Sequence, residues 1–229
     1  MSRRGGTAVR ATKRPVIVLA GEDRNDRECL RILLETWCPA MAGRLVEIND
    51  SVRLLNARSH GELTGRVRTL ASKAQARATR ERAELACVFV HEDLDRPDGD
   101  EYVEARQRVQ SALDAQFGNA HYVLSVAEVE AWLLMFPAAL TGTVSAWKVP
   151  QQYRNRDTGT LGDPKQILMR NVAGSGRRYR ESDAPDVLAK AVALNCIDNP
   201  VGSNRSWNQL RTDATECCKS HIPRARRPQ

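Results

Sequence analysis

Six carboxylates in three short groups carry the most specific chemical signal in this 229-residue chain. Glu22 and Asp26 stand four apart, Asp93 and Asp95 two apart, and Glu128 and Glu130 two apart. Carboxylates crowded on one rim cannot all stay ionised without a cation. An all-oxygen donor set selects a hard divalent ion, Mg²⁺ or Mn²⁺, over zinc, and Mg²⁺ keeps water or phosphate oxygens in its shell. The chemistry such a site does is phosphoryl transfer.

The spacing sets conditions on each pair. Glu22 and Asp26 span a strand-to-helix turn, which lets one carboxylate in the loop and one on the first helical turn face the same point. Asp93 and Asp95 meet one ion only if the strand twists out into a loop between them. Glu128 and Glu130 would point apart inside a helix, so both serve only if Glu128 lies at the strand end or helix cap. Acids also collect at helix N-termini to cap them and complement the dipole, the plainer account of Glu128. Capping does not account for His91-Glu92-Asp93-Leu94-Asp95 directly after an apolar strand.

The elements that must hold these acids alternate along the chain. Apolar β-rich runs predict strands at 15–20, 44–50, 86–95 and 121–126, and helical spacing of apolar residues predicts helices at 28–37, 61–85, 102–117 and 127–136. This order predicts an α/β fold: a mostly parallel four-stranded sheet of right-handed βαβ units with helices on both faces. Ligands of such sheets sit beyond the carboxyl ends of the strands, where all three acidic groups fall. Beyond residue 137 the pattern becomes a helical C-terminal region, with helices near 163–173, 184–195 and 203–220.

The charge of +7 resides in the tails. Arg3, Arg4, Arg10, Lys13 and Arg14 supply +5 and Arg224, Arg226 and Arg227 supply +3, leaving the body at −1. Mobile basic tails add only a salt-sensitive attraction to phosphate. The expected organisation is a disordered basic tail at 1–14, an α/β domain at 15–136, a helical extension at 137–221 and a basic tail at 222–229. No apolar run long enough for a membrane span and no secretory signal is seen, so the expected location is cytoplasmic, with no membrane partner. The six cysteines show no CxxC pair and are expected as free thiols in a reducing cytosol.

The acidic pattern resembles the Toprim domain of topoisomerases, primases and nucleases of the overcoming-lysogenization-defect type. Glu22 with Asp26 resembles its first motif, Asp93-Leu94-Asp95 its Asp-x-Asp, and Glu128-Val129-Glu130-Ala131-Trp132-Leu133-Leu134 a segment of standalone Toprim-like proteins. Gly162-Asp163-Pro164-Lys165 and Tyr179-Arg180-Glu181-Ser182 are similar to later segments of that group, so the resemblance spans most of 15–215. The family places Gly directly after its first Glu, whereas here Gly21 precedes Glu22 and Asp23 follows it.

The resemblance implies two-metal phosphodiester cleavage. Glu22, Asp26, Asp93 and Asp95 are then the ligands of Mg²⁺ (or Mn²⁺). Glu22 also stands as a general acid/base, Glu128 or Glu130 completes the shell or takes a proton, and Lys165 neutralises the phosphate. It further implies a nucleic-acid substrate, DNA before RNA, and an ATPase partner protein in phage defence. The alternative is a Toprim-like binding or regulatory subunit that docks to a partner without catalysis.

Outside the acids, fewer residues suggest chemistry. Arg177, Arg178 and Arg180 in GSGRRYR flank one aromatic in a glycine-containing loop, a pattern suited to phosphate contacts. Cys217, Cys218 and His221 lack a fourth zinc ligand, and adjacent cysteines chelate one ion poorly. Trp132 is expected in the core, and His91 is expected as a structural strand-end histidine before a proton shuttle.

Overall fold

The computed structural model describes residues 13–222. Strands β1 (Pro15–Gly21), β2 (Leu45–Glu47), β3 (Glu84–Asp93) and β4 (Ala120–Ser125) form one parallel sheet in the order β2-β1-β3-β4. Helices α1 (Arg24–Trp37), α2 (His60–Arg80) and α3 (Asp100–Asp114) connect them. The chain continues through α4 (Val129–Leu133), α5 (Pro137–Thr143) and α6 (Pro164–Gln166), a π-helical stretch at Ile167–Val172, then α7 (Ala184–Ala193) and α8 (Arg205–His221). The expected α/β class and its helical C-terminal region are both present.

Period-two alternation divides the strands between two apolar layers. Ile17, Leu19, Cys87 and Phe89 face α1 and the C-terminal helices, while Val18, Ala20, Val88, Val90 and Tyr122 face α2 and α3. Strand order reverses between β1 and β3, and the carboxyl ends of those two strands bound the crevice where such sheets take ligands.

Several boundaries differ from expectation for local reasons. Asp23 caps α1 by accepting from the Asp26 amide at 2.9 Å, so the helix starts at Arg24 and takes Asp26 into its first turn. α2 stops at Arg80, because Arg82 turns left-handed (φ 52°) and β3 begins at Glu84. The helix expected over 127–136 is the shorter α4, Val129–Leu133, and Pro137 opens α5 in its first turn. Most of both expected tails falls in 1–12 and 223–229, outside the described residues. Within the expected tail segments, Arg14 already pairs with the sheet, its carbonyl accepting from Glu84 N–H, and Ile222 is buried.

The cysteines correct the sequence reading. Cys38 is bonded to Cys218 and Cys87 to Cys217, with Cys29 and Cys196 free. Neighbours on a helix diverge by about 100°, so Cys217 reaches β3 while Cys218 reaches the end of α1. Separations of 130 and 180 residues left no local spacing to read. No helix among the described residues is long and apolar enough to cross a membrane.

Candidate functional site

Asp93 is the last residue of β3, and the chain turns sharply after it. Asp95 takes a left-handed backbone (φ 58°), as does Ala127 (φ 58°), and the two are locked together: Asp95 N–H donates to Ala127 O at 2.9 Å and Ala127 N–H to Arg96 O at 2.8 Å. Non-glycine residues held there store strain, which collects at functional sites. The turn meets the condition set by the Asp-x-Asp spacing.

Glu22, Asp26, Asp93, Asp95, Glu130 and Lys165 line one cleft of about 200 Å³, together with Asp23, Asn25, Cys29 and Glu181. Glu22, Asp93 and Asp95 also line an adjoining cleft of about 550 Å³ bordered by Arg96 and Arg108. Every expected metal ligand is thus brought to the crevice between β1 and β3.

Glu128 occupies the N-cap position of α4 in extended conformation, yet makes no capping hydrogen bond. Its Oε1 instead lies 3.1 Å from Lys165 Nζ, which also pairs with Glu181 at 3.1 Å. Glu130 is buried, and its Oε1 accepts from Tyr179 Oη at 3.1 Å. Two carboxylate oxygens here, Asp93 Oδ1 and Glu128 Oε2, are buried with no hydrogen-bond partner. Glu22 lies 3.5 Å from the exposed Arg53.

His91 organises this charge. Its ring is fully buried, with Nδ1 at 3.4 Å from Asp26 Oδ2, Nε2 at 3.7 Å from Asp93 Oδ1, and Nε2 at 2.7 Å from Ser125 Oγ. Burial pulls the imidazole down, but Asp26, Asp93 and Glu92 outweigh it and raise the pKa to about 9. Burial opposes ionisation of Asp26 too, and His91 nonetheless holds it below the usual range. Burial pushes Asp93 well up, with Asp26, Glu130 and Asp95 adding to the rise and His91 opposing it. Glu130 is pushed up to about 7 by burial, against the pull of Lys165 and with the push of Glu128. Burial also raises Glu22, Arg53 opposing. Burial pulls Lys165 down, yet Glu130, Glu181 and Glu128 hold it above its ordinary value.

The cleft is lined mainly by carboxylates, with the Cys29 thiol beside them. It is not a closed cage. Among the described residues, the three-ligand group whose donor atoms all lie within 4.8 Å of one another is Cys87, His121 and Cys217. Open coordination by a few carboxylates plus water is nevertheless the Mg²⁺ habit.

Glu92, within the acidic run, does not join the cleft. Alternation turns it to the other face, where it accepts from Leu54 N–H at 2.9 Å, Leu55 N–H at 3.0 Å and Tyr122 Oη at 3.1 Å. It fastens the loop that carries Arg53.

The basic loop departs from its expected role. Tyr179 is buried against Glu130, and Arg177 pairs with Asp183 and lies 5.4 Å over the Trp147 ring. Apolar packing draws the aromatic inward, which leaves Arg178 and Arg180 as the exposed cations without an ion pair in that loop. Trp132 is fully buried, as expected, with Nε1 donating to Ser206 Oγ at 2.9 Å. Cys217, Cys218 and His221 do not come together as a metal site.

Sequence reasoning missed the charged role of His91 and the part of Tyr179. Alternation from Phe89 through His91 to Asp93 held the first signal, because these residues share a face. No protein-family model matches the chain, and no curated protein or solved structure matches it significantly.

Proposed function

We propose that this protein is a divalent-metal-dependent phosphodiester hydrolase, an endonuclease of Toprim type. The reading rests on one observation above others: carboxylates that follow three strands, among them Glu22, Asp93 and Glu130, line one crevice, in which Asp93 Oδ1 is buried without a hydrogen-bond partner. A buried carboxylate oxygen left without a hydrogen bond costs about 1–3 kcal/mol, which a Mg²⁺ or Mn²⁺ ion would offset.

In this reading Glu22, Asp26, Asp93 and Asp95 hold the metal, which supplies a Lewis acid and an activated water. Lys165 presents fixed positive charge to the phosphate. Glu130, with a pKa of about 7, accepts and returns a proton near neutral pH. His91 keeps Asp26 ionised and oriented. By the resemblance the substrate is DNA before RNA, and an ATPase partner in phage defence controls the activity in the cytoplasm.

The test is cleavage of a plasmid and an RNA with Mg²⁺ or Mn²⁺ by wild type, Asp93→Ala and Asp95→Ala, alongside calorimetric titration of the same samples with each ion. Loss of both cleavage and ion binding in folded variants is the expected result. Cleavage retained in both variants would overturn the reading.

One observation favours a non-catalytic docking subunit: Lys165 is already paired with Glu128 and Glu181, and Glu22 with Arg53. That reading expects ion binding without hydrolysis at any pH.

A further inference from the structure

On the face of the sheet that packs against α8, and at the amino ends of the strands, a second chemical cluster lies apart from the carboxylates. Alternation puts Cys87 of β3 and His121 of β4 on this face, since Phe89, two residues after Cys87, is the register partner of His121. Helix α8 lays Cys217 over them, and the thiol and imidazole donor atoms lie within 4.8 Å of one another. Asp213, one helical turn before Cys217, has Oδ1 at 3.8 Å from His121 Nδ1. Arg106 and Gln209 hold Asp213 in place at 3.3 and 2.9 Å.

We propose that the reduced form of this cluster is a soft-metal site, ligated by the Cys87 and Cys217 thiolates and by His121, for an ion of the Zn²⁺ class. Two features support it. Two thiolates and one imidazole are the donors Zn²⁺ prefers, and Zn–S bonds of about 2.3 Å separate two sulfurs by about 3.8 Å in a tetrahedron, inside the span of the cluster. A carboxylate beside the second nitrogen of a ligating histidine is the usual device for fixing its tautomer and ring orientation, and Asp213, 3.8 Å from His121 Nδ1, would take that part with Nε2 on the metal.

The Cys87–Cys217 disulfide is the oxidised alternative of the same pair. A water-soluble phosphine reduces it by taking one oxygen from water, the two sulfurs receiving two electrons and two protons. Metal binding then releases both thiol protons. Metal and disulfide therefore exclude each other.

The experiment is titration of the phosphine-reduced full chain with Co²⁺, read by the sulfur-to-cobalt charge-transfer band and tetrahedral d–d absorption, followed by displacement with Zn²⁺. Co²⁺ held by carboxylates alone gives no such charge-transfer band, and because the free thiol of Cys29 lines the acidic cleft, a band that persists in Cys29→Ser separates this site from that cleft. The expected result is one Co²⁺ per chain in wild type and in Cys38→Ser/Cys218→Ser, no band in His121→Ala or Cys217→Ser, and affinity weakened about 10- to 100-fold in Asp213→Asn. No charge-transfer band in the reduced wild type would overturn the proposal. So would a band that survives His121→Ala and vanishes in Cys38→Ser/Cys218→Ser.

Discussion

Asp26 Oδ2 stands 3.4 Å from Nδ1 of the fully buried His91, so the first turn of α1 and the end of the central strand meet through a single pair of opposite charges. Beneath a cleft lined mainly by acids, His91 has its pKa raised to about 9 by Asp26, Asp93 and Glu92 against the opposing effect of burial, and Lys165 lines the same cleft.

Removing the His91 imidazole takes from Asp26 the largest influence that favours its charge, leaving Arg27, and from Asp93 the one that opposes its rise. His91→Gln is expected to destabilise the metal-free protein by about 3 kcal/mol, the usual cost of breaking a buried charge pair. Mn²⁺ is expected to restore part of the loss. Urea unfolding with and without the ion checks both, and equal stability of variant and wild type in chelator would count against the pairing.

Stability should fall as pH rises from about 4.5 to about 9. Glu92 and Glu130 have folded pKa values raised to about 7 from an ordinary 4.5, so the fold binds their protons more tightly and loses that advantage as pH climbs from 4.5 to 7. His91, raised from 6.5 to about 9, contributes fully below 6.5 and loses its contribution as pH rises through 9. Thermal scans in chelator between pH 5 and pH 9 measure the sum, and a Tm that climbs over that interval would refute it.

Asp93→Asn should separate stability from function. Neutralising a carboxylate whose charge burial and neighbours oppose is expected to raise the metal-free Tm by about 2–4 °C, the shift for about 1 kcal/mol at this length, while Mn²⁺ affinity drops. Differential scanning calorimetry and ion titration of one sample provide both numbers.

Tyr179→Phe removes the hydroxyl that donates to Glu130. A loss of about 1–3 kcal/mol is expected from the orphaned acceptor. If Glu130 carries a proton in the reaction, the acidic limb of the pH–rate profile moves to higher pH, because the bond lost was one that favoured the ionised carboxyl. An unmoved profile assigns Glu130 a purely structural part.

Glu92→Ala frees the amides of Leu54 and Leu55. Hydrogen exchange at those two amides is expected to accelerate, with the β1 and β3 amides unchanged.

How far the molecule could be read beforehand differs by element. The strands were legible because PVIVLA and ACVFV are buried on both faces, which leaves continuous apolar runs. Asp93 and Asp95 were legible because neither helix capping nor simple solvation puts acids at the end of a buried central strand. Glu92 was not, since counting acids ignores that adjacent strand residues face opposite ways. Tyr179 was hidden by its arginine neighbours, whose charge suggested a wet loop although the ring itself packs on Trp147, with centroids 5.9 Å apart. The disulfides depend on where α8 returns against β3 and α1, which no local pattern encodes.

Lys165 and Tyr179 lie downstream of every acid they neutralise or bond in the cleft except Glu181. During synthesis, Glu22, Asp26, Asp93, Asp95, Glu128 and Glu130 leave the ribosome before either partner does. His91 is made before either of them, so within the chain it is the counter-charge available to Asp26 and Asp93 ahead of the segment bearing Lys165 and Tyr179. Completion of the crevice by Lys165 and Tyr179 therefore waits until residues 165–179 have been made.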